Sequence, residues 1–182
     1  MFFLRKSKLE RLPVAMTGVR MGERALQLGV ADPSLVGAIA AKVGLSGHAV
    51  IIAGDDREAA QARVAAEKAG ALVDVQTRSN TALPFDSDSF DVVVLHATSD
   101  AHGSLQAGTL IATLREGHRV LRTGGRFVIV EGGSPHGTFA FLRFKPRLGE
   151  PAIGVEAMST AGFRAARLLA KNEGYRFSEG LK

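Results

Sequence analysis

The sequence contains no cysteine and no tryptophan, and only one of its 182 residues is tyrosine. Without cysteine, disulfide bonds and thiolate metal sites are excluded. Cysteine usage therefore gives no evidence on the compartment, and we take the cytoplasm as the default location. No apolar run reaches the roughly 18 residues that a membrane-spanning helix needs.

The basic residues are spread along the chain and are not gathered in one tract. Lys and Arg number 23 against 18 Asp and Glu, so the net charge is +5. A nucleic-acid surface usually combines a basic stripe with aromatic side chains for stacking. That combination is missing here, so we expect no nucleic-acid partner. The positive charge suits an acidic small molecule or an anionic membrane surface.

The chain starts with four apolar residues, MFFL, followed by the basic stretch RKSK. This order does not fit a signal peptide, which places its charges before its apolar region. We interpret residues 1–12 as a helical segment. Its apolar side chains either pack on the same domain or make a peripheral contact with a membrane.

Strand-like and helix-like patterns alternate through the first two thirds of the chain. Apolar strand patterns cover residues 24–29, 49–54, 71–77, 90–97 and 126–132, and helical spacing of apolar residues covers 33–44, 57–70 and 105–121. This alternation predicts an α/β fold with a doubly wound, mostly parallel sheet. In such sheets, ligands bind beyond the carboxyl ends of the strands.

The C-terminal third departs from this alternation. Residues 133–155 mix glycine, proline, phenylalanine and arginine, which indicates an irregular insertion or lid. A short helix is predicted over 156–162. Two strand patterns, 163–170 and 175–182, are then joined by the turn-forming KNEG. We expect this hairpin to add antiparallel strands to the sheet, so that residues 1–182 form a single domain.

Two motifs stand out within this layout: ALPFDSDSFDVVVLHA at residues 82–97, and LREGHRVLRTGGRFVIVEGG at residues 114–133. On these motifs the chain resembles the class I S-adenosylmethionine-dependent methyltransferases, in particular the branch that methylates small molecules such as quinones and lipids. The resemblance covers about residues 13–182. It implies a Rossmann-like fold, S-adenosylmethionine as the cofactor and a small-molecule methyl acceptor.

Two other functions are considered beside this one. The first is a binding or regulatory protein that keeps the methyltransferase fold without efficient turnover. The second is a different nucleotide-binding enzyme, for example an NAD-dependent one. The second is disfavoured because the chain lacks the dinucleotide-binding spacing of glycines.

The resemblance places the cofactor loop at QLGVADP, residues 27–33. An acidic residue is usual in the family where this chain has glutamine. The first glycine of the family's loop is matched, whereas alanine and proline replace two later ones. Glycine lets the backbone approach a ligand closely. The candidate cofactor contacts in this loop are Gln27, Gly29, Val30, Ala31 and Asp32, of which Asp32 is also a suitable helix N-cap.

Three further strand ends carry candidate residues by the same resemblance. Gly54 occupies the place of a ribose-binding carboxylate, and Asp55 either supplies that carboxylate or caps the next helix as part of a capping box. Ser79, with Asn80, either faces the adenine or belongs to a polar loop. His96 is either a catalytic base that also meets the cofactor, or a strand-end histidine bonded to backbone.

Other polar residues carry weaker expectations. His96, Asp100 and His102 form a candidate general-base cluster or weak metal site, but such spacing is common, and we predict no metal. Arg119 is interpreted as meeting solvent or capping a helix end. Glu131 is expected to face the cleft or to pair with an arginine of the insertion.

Overall fold

The computed structural model describes residues 12–97, 107–132, 153–172 and 175–182. The predicted N-terminal helical segment lies outside these ranges except for Leu12, and Asp100 and His102 lie outside them too. The predicted insertion is described only over its last three residues. These three residues form the first turn of a helix and not an irregular segment.

The described residues form helices and strands in the predicted order. The elements are α1 Leu12–Met16, β1 Arg24–Leu28, α2 Pro33–Val43, β2 His48–Ala53, α3 Asp56–Ala69, β3 Asp74–Thr77, β4 Phe90–Ala97, α4 Ala107–Val120, β5 Leu121–Gly132, α5 Ile153–Thr160, β6 Arg164–Asn172 and β7 Tyr175–Leu181. The fourth strand has the predicted bounds. Three elements begin three or more residues away from the predicted start: β3 at Asp74 and not at residue 71, β5 at Leu121 and not at 126, and α5 at Ile153 and not at 156.

Hydrogen bonds explain two of these differences. Gly70 caps the end of α3 in the left-handed conformation. The next residue, Ala71, donates its N–H to the carbonyl oxygen of Ala66, so the strand starts later. Residues 122–125 extend β5 at its start because Gly124 and Gly125 exchange backbone hydrogen bonds with Lys182. The predicted turn therefore becomes an irregular stretch of strand, in which the register with β4 shifts.

The sheet has the strand order β3-β2-β1-β4-β5-β7-β6. The first five strands in this order run parallel, and β7 is antiparallel to both β5 and β6. The predicted fold class is thus confirmed. The chain leaves β1 for β2 on one side and leaves β4 for β5 on the other. The carboxyl ends of β1 and β4 therefore form the topological switch point, where ligands bind in such sheets.

Alternation along the strands divides the core between the two faces of the sheet. Leu26 and Leu95 pack on the face that α4 and α5 cover, whereas Ala25 and Val94 pack on the face that α1 and α2 cover. Because side chains alternate with a period of two, positions 27 and 96 belong to the α2 face. The side chains of Gln27 and His96 therefore lie on the same face of the sheet, the one that α2 covers.

Arg119 holds the loop before β4 against α4. Its guanidinium donates to the carbonyl oxygens of Leu83 and Phe85 at 3.0 and 2.7 Å, and it pairs with Glu116 at 2.8 Å. Glu116 in turn accepts the N–H of Leu83. The hydrogen bond from Arg119 lowers the pKa of the Glu116 carboxyl. The Arg119 side chain is 35% exposed, so it meets solvent in part as expected. The sequence did not predict that it also bridges the loop before β4 to Glu116 of α4.

Replacing Arg119 with Ala is expected to lower the free energy of unfolding by about 1–3 kcal/mol, because two carbonyls and a carboxylate lose their donor. Urea denaturation measures this loss. Since the pKa of Glu116 is lowered in the folded state, the difference from the wild type is present at neutral pH and is lost in acid. Arg115→Ala is the control, because Arg115 is exposed on the same helix. An equal loss in both variants would contradict the bridging role.

Candidate functional site

The loop after β1 passes directly against the end of β4. Gly29 has φ +81°, and a Cβ added there would lie 3.2 Å from the carbonyl oxygen of His96. Its N–H donates to the carbonyl of Ile52 at 2.8 Å, which ties the loop to β2 as well. The left-handed backbone and the close approach both require glycine. The predicted first glycine of the loop is therefore at the switch point.

The rest of the loop is used in three different ways. The side chain of Val30 is buried in a cluster with Val36 and Ile51, so only its backbone remains to meet a ligand. Ala31 is exposed. Asp32 caps α2, because its Oδ1 accepts the N–H groups of Ser34 and Leu35. This N-cap is the one that the sequence predicts.

The second oxygen of Asp32 is also engaged. The hydroxyl of Tyr175 donates to Asp32 Oδ2 at 2.9 Å. Tyr175 begins β7, so this hydrogen bond connects the C-terminal hairpin with the cofactor loop. Sequence reasoning missed Tyr175, although it is the only tyrosine of the chain. Both carboxylate oxygens of Asp32 therefore accept hydrogen bonds within the protein, Oδ1 from the start of α2 and Oδ2 from Tyr175.

Gln27 and His96 form a buried hydrogen-bonded pair across β1 and β4. Their side chains are 1% and 7% exposed. His96 Nε2 lies 2.9 Å from Gln27 Oε1, and Gln27 Nε2 donates to the carbonyl oxygen of Val36 at 3.0 Å. The partner of His96 in the described residues is therefore a side chain, and not the backbone that the simpler interpretation expected.

Burial sets the charge state of His96. It lowers the pKa of the imidazole to about 4, against an opposing attraction by Asp32, which raises it. The ring is thus neutral at neutral pH, because little water remains to solvate an imidazolium. A neutral imidazole keeps one nitrogen lone pair as a proton acceptor.

The end of β2 leads into a capped helix. Asp55 Oδ1 accepts the N–H of Glu58 at 2.7 Å, and Glu58 Oε2 accepts the N–H of Gly54 at 2.9 Å. This reciprocal arrangement resembles a capping box, as expected from DDRE. Asp55 is exposed, and capping uses one of its two oxygens. Asp56 accepts the hydroxyl of Thr77, which brings the ends of β2 and β3 together.

The loop after β3 holds the predicted adenine-side residues. Ser79 Oγ lies 2.8 Å from Thr81 Oγ1, so this serine has a local partner. Asn80 Oδ1 is buried and has no hydrogen-bond partner among the described residues. A buried acceptor without a donor suits an N–H group of a ligand, such as the amino group of adenine. Together with the glycine at the switch point, it makes this edge of the sheet compatible with an adenosyl cofactor.

Glu131 lies near the carboxyl end of β5, opposite Ala97, the residue that follows His96. Its carboxylate lies 3.6 Å from Arg176 Nη1, a residue of β7. Burial raises the pKa of this carboxyl, whereas Arg176 lowers it. The alternative of an arginine in the insertion lies outside the described residues.

No group of three or more His, Cys, Asp or Glu residues in the described ranges could hold a metal ion, and no helix in those ranges has the length and hydropathy to cross a bilayer. A groove of about 540 Å³ lies between α2 and α3 and is lined by residues that include Ala38, Val64 and Lys68. None of the predicted site residues lines this groove.

Comparison with known proteins assigns the chain to a family. Residues 26–129 match the model of a family described as a methyltransferase domain. The chain belongs to this family. The matched residues include the cofactor loop, β4 and most of β5, so the resemblance inferred from the two sequence motifs is confirmed.

Individual relatives of this methyltransferase-domain protein agree with the assignment. It is 28% identical over 131 residues to the ubiquinone/menaquinone biosynthesis C-methyltransferase UbiE of Pseudoalteromonas translucida, covering 69% of this chain and 49% of the relative. It is 31% identical over 139 residues to a demethylmenaquinone methyltransferase of Symbiobacterium thermophilum, covering 75% of this chain and 53% of the relative. The chain thus spans about half the length of these curated relatives.

A solved structure supports the fold. A SAM-dependent methyltransferase from Aquifex aeolicus superimposes with a TM-score of 0.68 at 16% identity, covering 92% of this chain and 86% of that one. At this identity the likeness concerns the fold alone. The cofactor named in its description is the one that the sequence motifs imply.

Proposed function

We propose that this protein is an S-adenosylmethionine-dependent methyltransferase that acts on a small molecule. The observation that carries the proposal is the left-handed glycine at the switch point, packed against the end of β4, in a chain of the methyltransferase-domain family. S-adenosylmethionine is its cofactor, and when bound it supplies an electrophilic methyl group on a sulfonium sulfur.

The residues that would hold this cofactor lie along three neighbouring strand ends. The backbone of Gly29, Val30 and Ala31 would meet its methionine portion, with the negative charge of Asp32 nearby. Asp55 would offer its second oxygen to the ribose, because capping uses only the first. Ser79 and the unpartnered Asn80 Oδ1 would face the adenine.

The remaining task of the protein is to align donor and acceptor and to exclude water. A dedicated base is needed only where the acceptor loses a proton. His96 is the candidate for this role, because it is neutral and lies at the end of β4 next to the loop. A quinone-type aromatic ring is the acceptor that we propose, on the basis of the two curated relatives.

A labelled-methyl assay tests this proposal. The chain is incubated with methyl-labelled S-adenosylmethionine and a reduced demethylmenaquinone. We expect label in the extracted quinone and an equal amount of S-adenosylhomocysteine. No label above the enzyme-free control, with this and with other hydroxylated aromatic acceptors, would contradict methyl transfer to this substrate class.

Asp55 allows its two roles to be separated. Asp55→Ser keeps a good N-cap but removes the carboxylate, whereas Asp55→Ala removes both. If the second oxygen binds ribose, we expect both variants to bind S-adenosylmethionine about tenfold more weakly, which corresponds to one hydrogen bond to a charged group. Isothermal titration calorimetry measures this. Wild-type affinity in Asp55→Ser would assign the carboxylate to capping alone.

The cytoplasmic location and the peripheral membrane contact through residues 1–12 stay predictions. A small apolar acceptor is consistent with such a contact, because it would partition into lipid. Sedimentation of the protein with anionic vesicles, before and after removal of residues 1–11, tests the contact.

A further inference from the structure

The hydrogen bonds around Gln27 determine how its amide is oriented. The carbonyl oxygen of Val36 is an acceptor only, so the group that lies 3.0 Å from it must be the amide NH₂. The amide oxygen of Gln27 consequently faces His96, at 2.9 Å from Nε2. An amide oxygen can only accept, and the nitrogen opposite it must therefore carry a proton.

This orientation determines the tautomer of His96. A neutral imidazole has one N–H, and here it is on Nε2. The lone pair that accepts protons is then on Nδ1. In the part of the chain that the structure describes, the hydrogen bond of Nε2 is to Gln27. The residue opposite His96 on β5 is Val130, which is apolar, and Asp32 is the charged group whose field reaches the ring.

We propose that Gln27 is a positioning residue that holds His96 in the Nε2–H tautomer, so that Nδ1 is the proton-accepting atom of the strand-end site. Glutamine is suited to this place because it satisfies the N–H of His96 and the carbonyl of Val36 without a charge. An acidic residue, which the family resemblance leads one to expect at position 27, would bury a charge at a position only 1% exposed. It would also lack the donor that Val36 requires.

The role of Nδ1 in catalysis rests on the proposed function. In a methyl transfer the acceptor gains a methyl group and loses one proton. Nδ1 of His96 takes this proton, and the imidazolium then releases it to solvent. A ring that is a poor base still suffices, because an acceptor atom that has gained a methyl group before losing its proton is a much stronger acid than before.

Nuclear magnetic resonance tests the tautomer without any activity. The protein is labelled with ¹⁵N-histidine, and His96 is identified among the five histidines by its absence in His96→Gln. At pH 7 we expect a single Nε2–H tautomer whose proton exchanges slowly with water. A spectrum with the proton on Nδ1, or with a charged ring, would overturn the proposal.

A variant of Gln27 then tests the cause. Gln27→Met has a similar length but no amide oxygen, so we expect a mixture of tautomers and exchange of the Nε2 proton about tenfold faster. Gln61→Leu is the control, because Gln61 is exposed on α3. If Gln27→Met keeps the single tautomer and the slow exchange, Gln27 does not position the ring. If Gln27→Met fails to fold, the wild-type spectrum still decides on the tautomer. Gln27→Asn then replaces Gln27→Met as the test variant, because its side chain is too short to reach His96 Nε2.

Kinetics separate this inference from the proposed function. If both hold, Gln27→Met lowers kcat for methyl transfer about tenfold or more, while KM for S-adenosylmethionine changes less than about twofold. An unchanged kcat would overturn the catalytic role of Nδ1. If the wild type transfers no methyl group but shows the expected spectrum, the positioning of His96 stands and the proposed function is rejected.

Discussion

Gly29→Ala is expected to lower the affinity for S-adenosylmethionine by about 100-fold. Alanine at φ +81° is strained by about 1–2 kcal/mol, and its Cβ would stand 3.2 Å from the carbonyl oxygen of His96. The loop can relieve the backbone strain and the close contact by moving away from β4. We expect this movement to displace the backbone that would contact the cofactor. Titration calorimetry of the purified variant measures the effect.

Gly22→Ala is the matched control for this prediction. Gly22 has a similar φ of +85°, but among the described residues its added Cβ would meet only Ser46 Oγ, at an ordinary contact distance of 3.5 Å. Gly22 precedes β1 and thus lies at the amino edge of the sheet, away from the site. Both variants should lose about 1–2 kcal/mol of folding free energy, and only Gly29→Ala should lose affinity. Equal affinities in the two variants would show that the loop after β1 does not contact the cofactor.

His96 is expected to make folding stability depend on pH between about 6.5 and 4. In the unfolded chain its pKa is near the ordinary 6.5, whereas in the folded protein burial lowers the pKa to about 4. In this interval the unfolded state binds more protons, so the free energy of unfolding falls as pH falls. The two pKa values imply a loss of roughly 3 kcal/mol from this group alone.

Comparison with His96→Gln isolates this contribution. Urea denaturation at several pH values between 7 and 4 should show a flatter profile for the variant than for the wild type. His48→Gln controls for the general effect of removing a histidine, because His48 is exposed at the start of β2. Parallel profiles for the wild type and His96→Gln would mean that the ring is solvated in the folded protein.

The fold was largely readable from the sequence because local patterns determine it. β4 has five consecutive buried residues, Val92 to His96, and such a run is typical of a parallel strand covered on both faces. Asp32 with Pro33 starts α2, as their capping preferences predict. The start of β5 was not predictable in this way, because its first residues are held by hydrogen bonds to Lys182 at the other end of the chain.

The site was only partly readable, since its contacts join distant parts of the chain. Gly29 and the cap at Asp55 follow from local sequence. The partners Gln27 and His96 are 69 residues apart, and Asp32 and Tyr175 are 143 apart, so both pairs depend on the strand order. The sequence did contain one indication of this pair. Every second residue of a strand faces the same side of the sheet, and on the α2 side Gln27 and His96 are polar residues that follow apolar ones. A buried polar residue in each of two neighbouring strands indicates a pair.

Calorimetric titration of the wild-type protein with S-adenosylmethionine tests the central claim most directly. The claim is that the glycine at the switch point, with the carboxylate and amide at the neighbouring strand ends, forms a working cofactor site. It predicts one binding site per chain with micromolar affinity, or about 8 kcal/mol of binding free energy. Absence of detectable binding at millimolar cofactor would contradict it.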